Sequence, residues 1–397
     1  MNKTPFTLAL GGLLALAAAI GIGRFVYTPI LPPMVEALQL SKAQAGLIAS
    51  ANFVGYLAGA LVAALSLPGS RRAWLMGSLA VNALCLGAMG VTTALPLFLL
   101  LRLVAGIASA FALIFGSALV LDRLASAGRG GLSAVHFAGV GSGIAVSAAL
   151  VAILVRDGAA WSTLWFASAV LAAIAGLAVL WMVPPELRVA PAAAPTARAK
   201  VSADFAALVA AYGLFGFGYI ITATFIVDMV RGTAALRPLE PYIWVLFGLS
   251  AAPSVALWTG FGRRWGILKT FAVASIVEAA GVAASALWLH ALGVIVAALF
   301  VGGTFMGLTA LGLIAARETA DGDPRGRIAL MTASFSFGQI LGPAFAGFVY
   351  DATGSLAMPS LVAAVALVLA ALLSVVAETQ RRPSTASASR AARRPDA

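Results

Sequence analysis

Charged residues are scarce in this sequence. Of its 397 residues, 10% are charged and 62% are hydrophobic. A soluble globular domain typically carries about 25% charged residues, so this chain has too few to cover a surface that faces water. About a dozen membrane spans of ~20 apolar residues would use roughly two-thirds of the chain. The scarcity of charge therefore excludes a soluble enzyme, a disordered protein and a protein with one membrane anchor, and it predicts an all-α membrane protein.

Cysteine and histidine are nearly absent as well. Cys85 is the only cysteine and has no partner for a disulfide, and the only histidines are His136 and His290. These residues do not form the clusters that bind metals. Gly21 and Gly23 lie inside an apolar run with no preceding strand, so they do not indicate a dinucleotide-binding loop. We therefore expect neither a metal nor a cofactor. The sequence also lacks an ATP-binding motif, so if the protein moves a solute, the movement is driven by a gradient or is passive.

Apolar runs separated by charged residues, proline or glycine predict twelve transmembrane helices. The predicted spans are 6–35, 43–67, 73–94, 96–122, 132–155, 159–183, 204–230, 239–260, 266–289, 291–317, 327–350 and 356–377. A segment rich in proline and alanine divides them into two sets of six. The predicted regions are an N-terminal six-helix bundle at 1–183, a cytoplasmic linker at 184–203, a C-terminal six-helix bundle at 204–378 and a disordered basic cytoplasmic tail at 379–397.

The basic residues predict the orientation in the membrane. The chain has 25 lysines and arginines and a net charge of +11. Most of these residues fall in loops on the side of the two termini, whereas the opposite loops hold Lys42, Arg156, Arg231 and Arg237. Because cytoplasmic loops carry the excess of Lys and Arg, both termini are predicted to be cytoplasmic. The positive charge thus indicates topology rather than a nucleic-acid partner.

The two halves of the chain repeat each other. Gly21-Ile-Gly-Arg24 in the first span corresponds to Gly216-Phe-Gly-Tyr219 in the seventh. The fifth and eleventh spans share a glycine pair, at Gly139/Gly143 and Gly338/Gly342. Two pseudo-symmetric six-helix bundles in the same orientation form the parallel repeat of transporters whose site lies between the halves near mid-membrane.

Four segments carry a resemblance to a known family: Gly21–Met34, His136–Gly143, Tyr212–Tyr219 and Gly338–Pro343. They resemble the major facilitator superfamily, and within it the YbfB/YjiJ-type branch, over essentially the whole chain. Arg102 and Gly106 are similar to the Arg-x-x-x-Gly motif of the superfamily's fourth helix. The loop after the second span departs from the pattern, because no aspartate precedes its basic pair Arg71–Arg72. The resemblance implies a secondary transporter in a bacterial inner membrane and implies no particular substrate.

Two arginines are predicted inside the membrane. An arginine near the centre of a membrane helix costs roughly 2.5–3.5 kcal/mol to insert, so it normally faces a partner or a water-filled cavity. Arg24 lies in the first span with Tyr27 on the same helix face, and the prolines from Pro29 to Pro33 predict a bend there. Arg24 is either a cavity cation that recognises an anionic group or a structural residue held by carbonyls or an acid. Arg102, in the outer third of the fourth span, either assists a proton or substrate step or makes fixed hydrogen bonds to backbone.

Three titratable residues are candidates for coupling or gating. Glu278 is the only carboxylate in the middle of a span, so it is either a proton carrier or a structural residue on a helix that is peripheral in this superfamily. Asp228 precedes Arg231 by three residues, which indicates a local ion pair, with a gate or coupling acid as the alternative. His136 begins the fifth span and is either an interfacial hydrogen-bond donor or a titrating group.

Neutral polar side chains complete the predicted substrate site. Each needs a hydrogen-bond partner in a lipid environment, and either a substrate or a neighbouring helix supplies one. The candidates are Asn52, Tyr56, Tyr212, Tyr219, Thr222 and Gln339.

The sequence predicts a secondary active transporter that moves a small polar or anionic organic solute by alternating access, with proton coupling left open. The alternative within transport is a proton-driven exporter of drugs or sugars. An intramembrane enzyme is disfavoured because the spans lack a nucleophile–base pair, and a sensor is disfavoured because no loop is long enough for an output domain. The expected partners are the solute and the lipid bilayer, and protons are left open as a coupling ion. The protein is expected to be a monomer.

Overall fold

The computed structural model describes residues 4–65, 67–185, 202–320 and 324–391. Within these ranges the long apolar runs form fourteen α-helices and no strand. The helices are α1 (Pro5–Leu16), α2 (Tyr27–Leu38), α3 (Lys42–Ala63), α4 (Arg71–Met89), α5 (Leu95–Ser126), α6 (Ser133–Arg156), α7 (Trp161–Met182), α8 (Ala203–Gly232), α9 (Glu240–Ala251), α10 (Ser254–Trp265), α11 (Ile267–Leu287), α12 (Ala291–Glu318), α13 (Arg325–Thr353) and α14 (Ala357–Ala391).

These helices account for the predicted membrane spans. In the described ranges eleven helical segments are long and apolar enough to span a membrane, with α1 and α2 counted together as Pro5–Leu38. The helices α9 and α10, bent by 41° at a short break, supply a twelfth when they are counted as one span. Pro253 lies at this break and has no amide hydrogen for a helical bond, which explains why the single helix predicted at 239–260 is in two pieces. The prediction of an all-α protein with twelve membrane spans is confirmed.

Two region boundaries differ from the prediction or fall outside the structure. The predicted linker at 184–203 lies mostly outside the described residues, and α8 begins at Ala203. The tail that was expected to be disordered from residue 379 continues the backbone helix of α14 to Ala391. The alanines and arginines of this segment favour such an extension, whereas Pro383 and the serines oppose it. Residues 392–397 of the predicted tail lie outside the described ranges.

The first span is not a continuous α-helix. After α1 the backbone forms a π-helical turn at Ala17–Ile22 and then non-helical turns through residues 23–26, before α2 begins at Tyr27. Pro32 and Pro33, which were predicted to bend this span, lie inside α2, so the prediction placed the irregularity too late in the chain. A π-helical turn or a break of this kind needs side chains to satisfy the carbonyls that it releases. We refer to residues 17–26 as the break of the first span.

The glycine pairs of the internal repeat make equivalent contacts in the two halves. A Cβ atom on Gly143 of α6 would clash with the backbone of Ala17 in the first span. In the second half a Cβ atom on Gly338 of α13 would clash with Gly213 and Phe217 of α8. Small residues allow helix backbones in membranes to approach this closely. The corresponding positions therefore join the first span to the fifth and the seventh to the eleventh in the same way.

Strong contacts join the two halves at the end of the bundle that is opposite the two termini, which we call the distal end. The Lys42 ammonium lies 2.7 Å from the Asp228 carboxylate, and Glu36 pairs with Arg231. The Asp351 carboxylate accepts hydrogen bonds from the backbone amides of Lys42 and Ala43, both at 3.0 Å. Gly46 of α3 packs directly against the backbone of α13 at residues 343 and 344. The halves are thus closed against each other at the distal end.

Candidate functional site

Arg24 lies in the break of the first span, at the junction of the two halves. Its side chain is buried, with 6% exposed, and the guanidinium carbon lies 4.1 Å from the ring centre of Tyr56 and 5.2 Å from that of Phe53. Among the described residues its Nε and Nη2 atoms have no hydrogen-bond partner. An unpaired buried charge costs several kcal/mol, whereas a desolvated cation–π contact returns about 2 kcal/mol. Arg24 is therefore held by its flat face and by a side-chain hydrogen bond with Tyr56, and the edge formed by Nε and Nη2 is left without a partner in the described ranges.

A small cavity lies beside this side chain. Arg24, Arg102 and Phe53 of the first half line it, and Ile220, Ala223 and Thr224 of α8 line it from the second half. The volume that the centre of a water molecule can occupy is about 10 Å³, which is room for about one water. The cavity is therefore shared by both halves and is nearly closed in this conformation.

Arg102 of α5 is also buried, with 2% exposed, but its environment differs. Its Nη1 and Nη2 atoms donate hydrogen bonds of 3.1 Å to the carbonyl oxygens of Gly23 and Arg24. Its guanidinium also lies over the ring of Tyr27 at 5.1 Å. This geometry agrees with the second interpretation from the sequence, a fixed hydrogen bond to neighbouring backbone, because Arg102 binds two carbonyls that the break releases.

Other side chains bind two further carbonyls of the break. The Asn82 amide and the Ser109 hydroxyl both donate to the carbonyl of Ala19, at 3.0 and 2.8 Å. The Trp244 indole, from the second half, donates to the carbonyl of Phe25 at 3.1 Å. Sequence analysis did not identify these three residues. An isolated polar residue in an apolar span was the available signal for Asn82 and Ser109, whereas nothing distinguished Trp244 from a lipid-facing aromatic.

The predicted polar residues of the second half form a cluster around Tyr219. Its hydroxyl accepts a hydrogen bond from the Gln339 side-chain amide, and it lies close enough to Arg24 for an electrostatic interaction. The ring of Tyr219 stacks on Phe305 and Phe215. Among the described residues, Gln339 Oε1 and the hydroxyl of the buried Thr222 have no partner. Arg24, Tyr56, Tyr219 and Gln339 are thus brought together, as predicted candidates from both halves.

Three other predicted residues make fixed contacts with backbone. The Tyr27 hydroxyl donates to the Ala45 carbonyl at 2.8 Å, and its ring lies against Arg102 rather than beside Arg24. The Asn52 amide donates to the carbonyl of Arg102 at 3.0 Å. The Tyr212 hydroxyl donates to the carbonyl of Thr309 at 2.9 Å. These contacts correspond to the alternative in which polar groups join helices.

The predicted local ion pair between Asp228 and Arg231 is wrong. Asp228 pairs with Lys42 of α3, whereas Arg231 pairs with Glu36 of α2 and with Glu240 at 3.1 Å. The true partner of Asp228 lies in the other half of the chain, so spacing along one helix could not identify it. The pairing places Asp228 at the closed distal end of the bundle.

The remaining titratable candidates make no direct contact with Arg24 in the described ranges, although Glu278 lies close enough to Tyr219 for an electrostatic interaction. Glu278 of α11 is fully buried, and its Oε1 accepts a hydrogen bond of 3.1 Å from the Thr304 hydroxyl of α12. Its Oε2 has no partner in the described ranges. His136 is also fully buried, which corrects the expectation of an interfacial residue, and its Nε2 lies 2.9 Å from the Ser117 hydroxyl. Gly12 of α1 packs closely against the His136 ring and encloses it within the bundle.

Comparison with known proteins supports a transporter architecture. A family model described as "Uncharacterised MFS-type transporter YbfB" matches residues 16–375. A crystal structure of a mutant of the nucleoside transporter NupG is similar with a TM-score of 0.73 and 17% identity, and covers 93% of this chain and 99% of that one. A second NupG crystal structure has a TM-score of 0.69 and 16% identity, with coverage of 94% and 98%.

No curated protein sequence matches the chain. At these identities the NupG structures establish the fold, whereas the family model spans most of the sequence. The chain is a multi-pass membrane protein that belongs to the family of MFS-type transporters represented by YbfB.

Proposed function

We propose that the protein is a secondary active transporter that moves a small polar or anionic organic solute across a bacterial inner membrane by alternating access. The observation that carries the proposal is the Arg24 side chain, which is buried between the halves with one guanidinium edge unsatisfied in the described structure. A buried cation in such a position is a binding group for a solute that replaces the missing partner.

The position of Arg24 supports binding between the two halves. The cavity beside it is lined by both halves and is nearly closed, so a solute reaches it only when the halves move apart. The distal end is closed by ion pairs and backbone contacts that can break when the halves rotate. A central site with gates made from contacts between the halves is the arrangement that alternating access needs. The distribution of basic residues supports cytoplasmic termini, which places the distal end on the periplasmic side.

Arg102 has a different role in this proposal. It binds the carbonyls of Gly23 and Arg24 and so fixes the backbone from which the Arg24 side chain projects. We assign it as a positioning residue for Arg24 rather than as a group that moves with a proton. The same contacts leave its charge near the cavity, where it adds to the attraction of an anion.

One observation favours a second candidate, the proton-driven exporter of drugs or sugars. Glu278 is buried, and Thr304 contacts only one of its carboxyl oxygens, which leaves the other able to bind and release a proton. Its helix α11 packs against α12 and α14, and its role as a coupling acid would act through these neighbours. We place this candidate second because the group without a hydrogen-bond partner that lines the cavity is the cation Arg24, whereas the exporter would depend on an acid.

Uptake into right-side-out and inside-out membrane vesicles separates the two candidates. Organic anions, neutral sugars and nucleosides are offered with and without a proton gradient; nucleosides are included because the NupG structures are described as nucleoside transporters. We expect Arg24→Ala to abolish uptake of the anion and Glu278→Gln to change it less than about twofold. Unchanged anion transport in Arg24→Ala would contradict recognition at Arg24. Loss of gradient-driven accumulation in Glu278→Gln alone would favour the exporter.

A further inference from the structure

We infer that the transported solute carries a carboxylate and that Arg24 binds it side-on through Nε and Nη2. This inference rests on the proposed function and names the substrate class of the same site. It depends on which atoms of the guanidinium are occupied and which are not.

The flat face of the Arg24 guanidinium is occupied. Its carbon atom lies 4.1 Å from the ring centre of Tyr56 and 5.2 Å from that of Phe53, both on α3. Stacking on an aromatic face restricts the plane in which the guanidinium lies and leaves its N–H bonds pointing outward in that plane. A ligand is therefore offered the edge of the group and not its face.

The free edge has the geometry of a carboxylate receptor. Nε and Nη2 are the two atoms that lack a partner in the described structure, and they share one side of the planar guanidinium. Their N–H bonds run nearly parallel, which matches the spacing of two carboxylate oxygens in a bidentate pair. Phosphate can also bind such an edge through two of its oxygens, but its remaining oxygens and second charge would need donors beyond the two that the edge supplies. A neutral amide or a nucleoside brings no charge to compensate the guanidinium.

No acid of the protein occupies this edge. In the described ranges Arg24 forms no ion pair with a carboxylate. The groups that interact with it electrostatically are Tyr56, which is also a side-chain hydrogen-bond partner, Tyr219 and Arg102. A second guanidinium, that of Arg102, also lines the cavity. The positive charge that faces the cavity is thus uncompensated by protein carboxylates, and a carboxylate on the solute supplies the compensation that such a buried group needs.

Thermal unfolding of the purified full-length protein tests the ligand class. The panel contains acetate, lactate, pyruvate and benzoate, the amide of each, inorganic phosphate and adenosine. We expect at least one carboxylate to raise the melting temperature while its amide, phosphate and adenosine do not, because a ligand that binds only the folded state stabilises it. The stabilising carboxylate is then titrated by calorimetry. If no carboxylate is among the ligands that stabilise the protein, the inference is wrong.

Variants of Arg24 test the side-on geometry. Arg24→Lys keeps the positive charge but removes the planar edge, so we expect binding of the carboxylate to weaken by about 30-fold or more. Arg24→Gln serves as a second variant if the lysine variant does not fold. The matched control is Arg156→Lys at an exposed arginine of the distal end, which should bind as the wild type does. Carboxylate binding within about threefold of the wild type in a folded Arg24 variant overturns the inference.

Counterflow in proteoliposomes distinguishes failure of the inference from failure of the proposed function. Transport of adenosine or phosphate, but of no carboxylate, would leave the transporter proposal standing and would overturn the carboxylate assignment. A carboxylate that binds at Arg24 but is not exchanged across the membrane would support side-on carboxylate binding at Arg24 and would contradict the transporter proposal.

Discussion

The two buried arginines of the first half differ in how their charge is satisfied. Arg102 donates to two carbonyls of the break through Nη1 and Nη2, and among the described residues only its Nε lacks a partner. Arg24, whose own carbonyl is one of these two, lacks partners at both Nε and Nη2 in the same ranges. Both side chains line the same cavity and carry a similar cost of insertion. The comparison shows that burial and charge alone do not separate a structural arginine from a ligand-binding one. We expect the hydrogen bonds that each edge makes to separate them.

The first way to test this contrast is to replace Arg102, whose guanidinium binds two backbone carbonyls. Arg102→Met keeps an unbranched side chain but leaves the carbonyls of Gly23 and Arg24 without donors. Because hydrogen bonds from a buried charged group are strong, we expect unfolding free energy to fall by about 3–5 kcal/mol. Chemical denaturation in detergent measures the change. A loss below about 1 kcal/mol would contradict a structural role.

The second test removes the unsatisfied arginine. Arg24→Met deletes a buried charge whose edge has no partner in the described structure, so we expect stability without ligand to stay equal or to rise by about 1–3 kcal/mol. Transport should fall by about 30-fold or more, because the solute loses its charged partner. The same denaturation assay and vesicle uptake give both numbers. A variant as unstable as Arg102→Met would show that the two arginines do not differ as we describe.

A smaller loss of unfolding free energy is expected at Trp244, a neutral side chain of the second half that donates a hydrogen bond to the break. Trp244→Phe removes the indole N–H that binds the Phe25 carbonyl but keeps an aromatic ring against Phe25 and Phe247. A typical intramolecular hydrogen bond contributes about 1 kcal/mol, so the loss should be near that value. Denaturation measures it alongside Arg102→Met. If Trp244→Phe lowers the unfolding free energy as much as Arg102→Met does, the positive charge of Arg102 does not account for the strength of its hydrogen bonds.

The last test concerns the distal end. Lys42→Asp breaks the pair with Asp228, whose side chains are 16% and 11% exposed, and sets two carboxylates against each other. Because the pair is largely buried, we expect the unfolding free energy to fall by about 2 kcal/mol. The variant should also widen the distance between α3 and α13, measured between spin labels in the two halves. The double variant Lys42→Asp with Asp228→Lys should restore the closed distance. If the single variant keeps that distance, the pair does not hold the distal end closed.

Patterns along the chain predict the features that depend on composition. The twelve spans follow from apolar runs, and Arg24 and Arg102 stand out because charge inside a span is rare. The glycine repeats predict equivalent packing of α6 and α13, because small residues at fixed spacing have one main use between membrane helices.

Partners that are distant in sequence could not be predicted in the same way. Asp228 binds Lys42, 186 residues earlier, although Arg231 is the nearer choice along its own helix. The break of the first span depends on Arg102, Asn82 and Trp244, which approach it from three other helices. The prolines of the same span predicted an irregularity later in the chain. A proline indicates only where a backbone hydrogen bond is missing at its own position, and not where side chains of other helices bind the backbone.

The hydrogen bonds that Asp351 accepts from the α3 amides affect how the distal end can open to ions. The carboxylate of one half binds the first free amides of a helix in the other half, close to the place where Gly46 brings the two backbones together. Any separation of α3 from α13 must therefore take both amides away from the Asp351 carboxylate and pull these backbones apart, while Ser41 continues to cap the amide of Gln44. Because these contacts are lost together, we expect the distal end to open in one step, with few partly open states through which ions could leak.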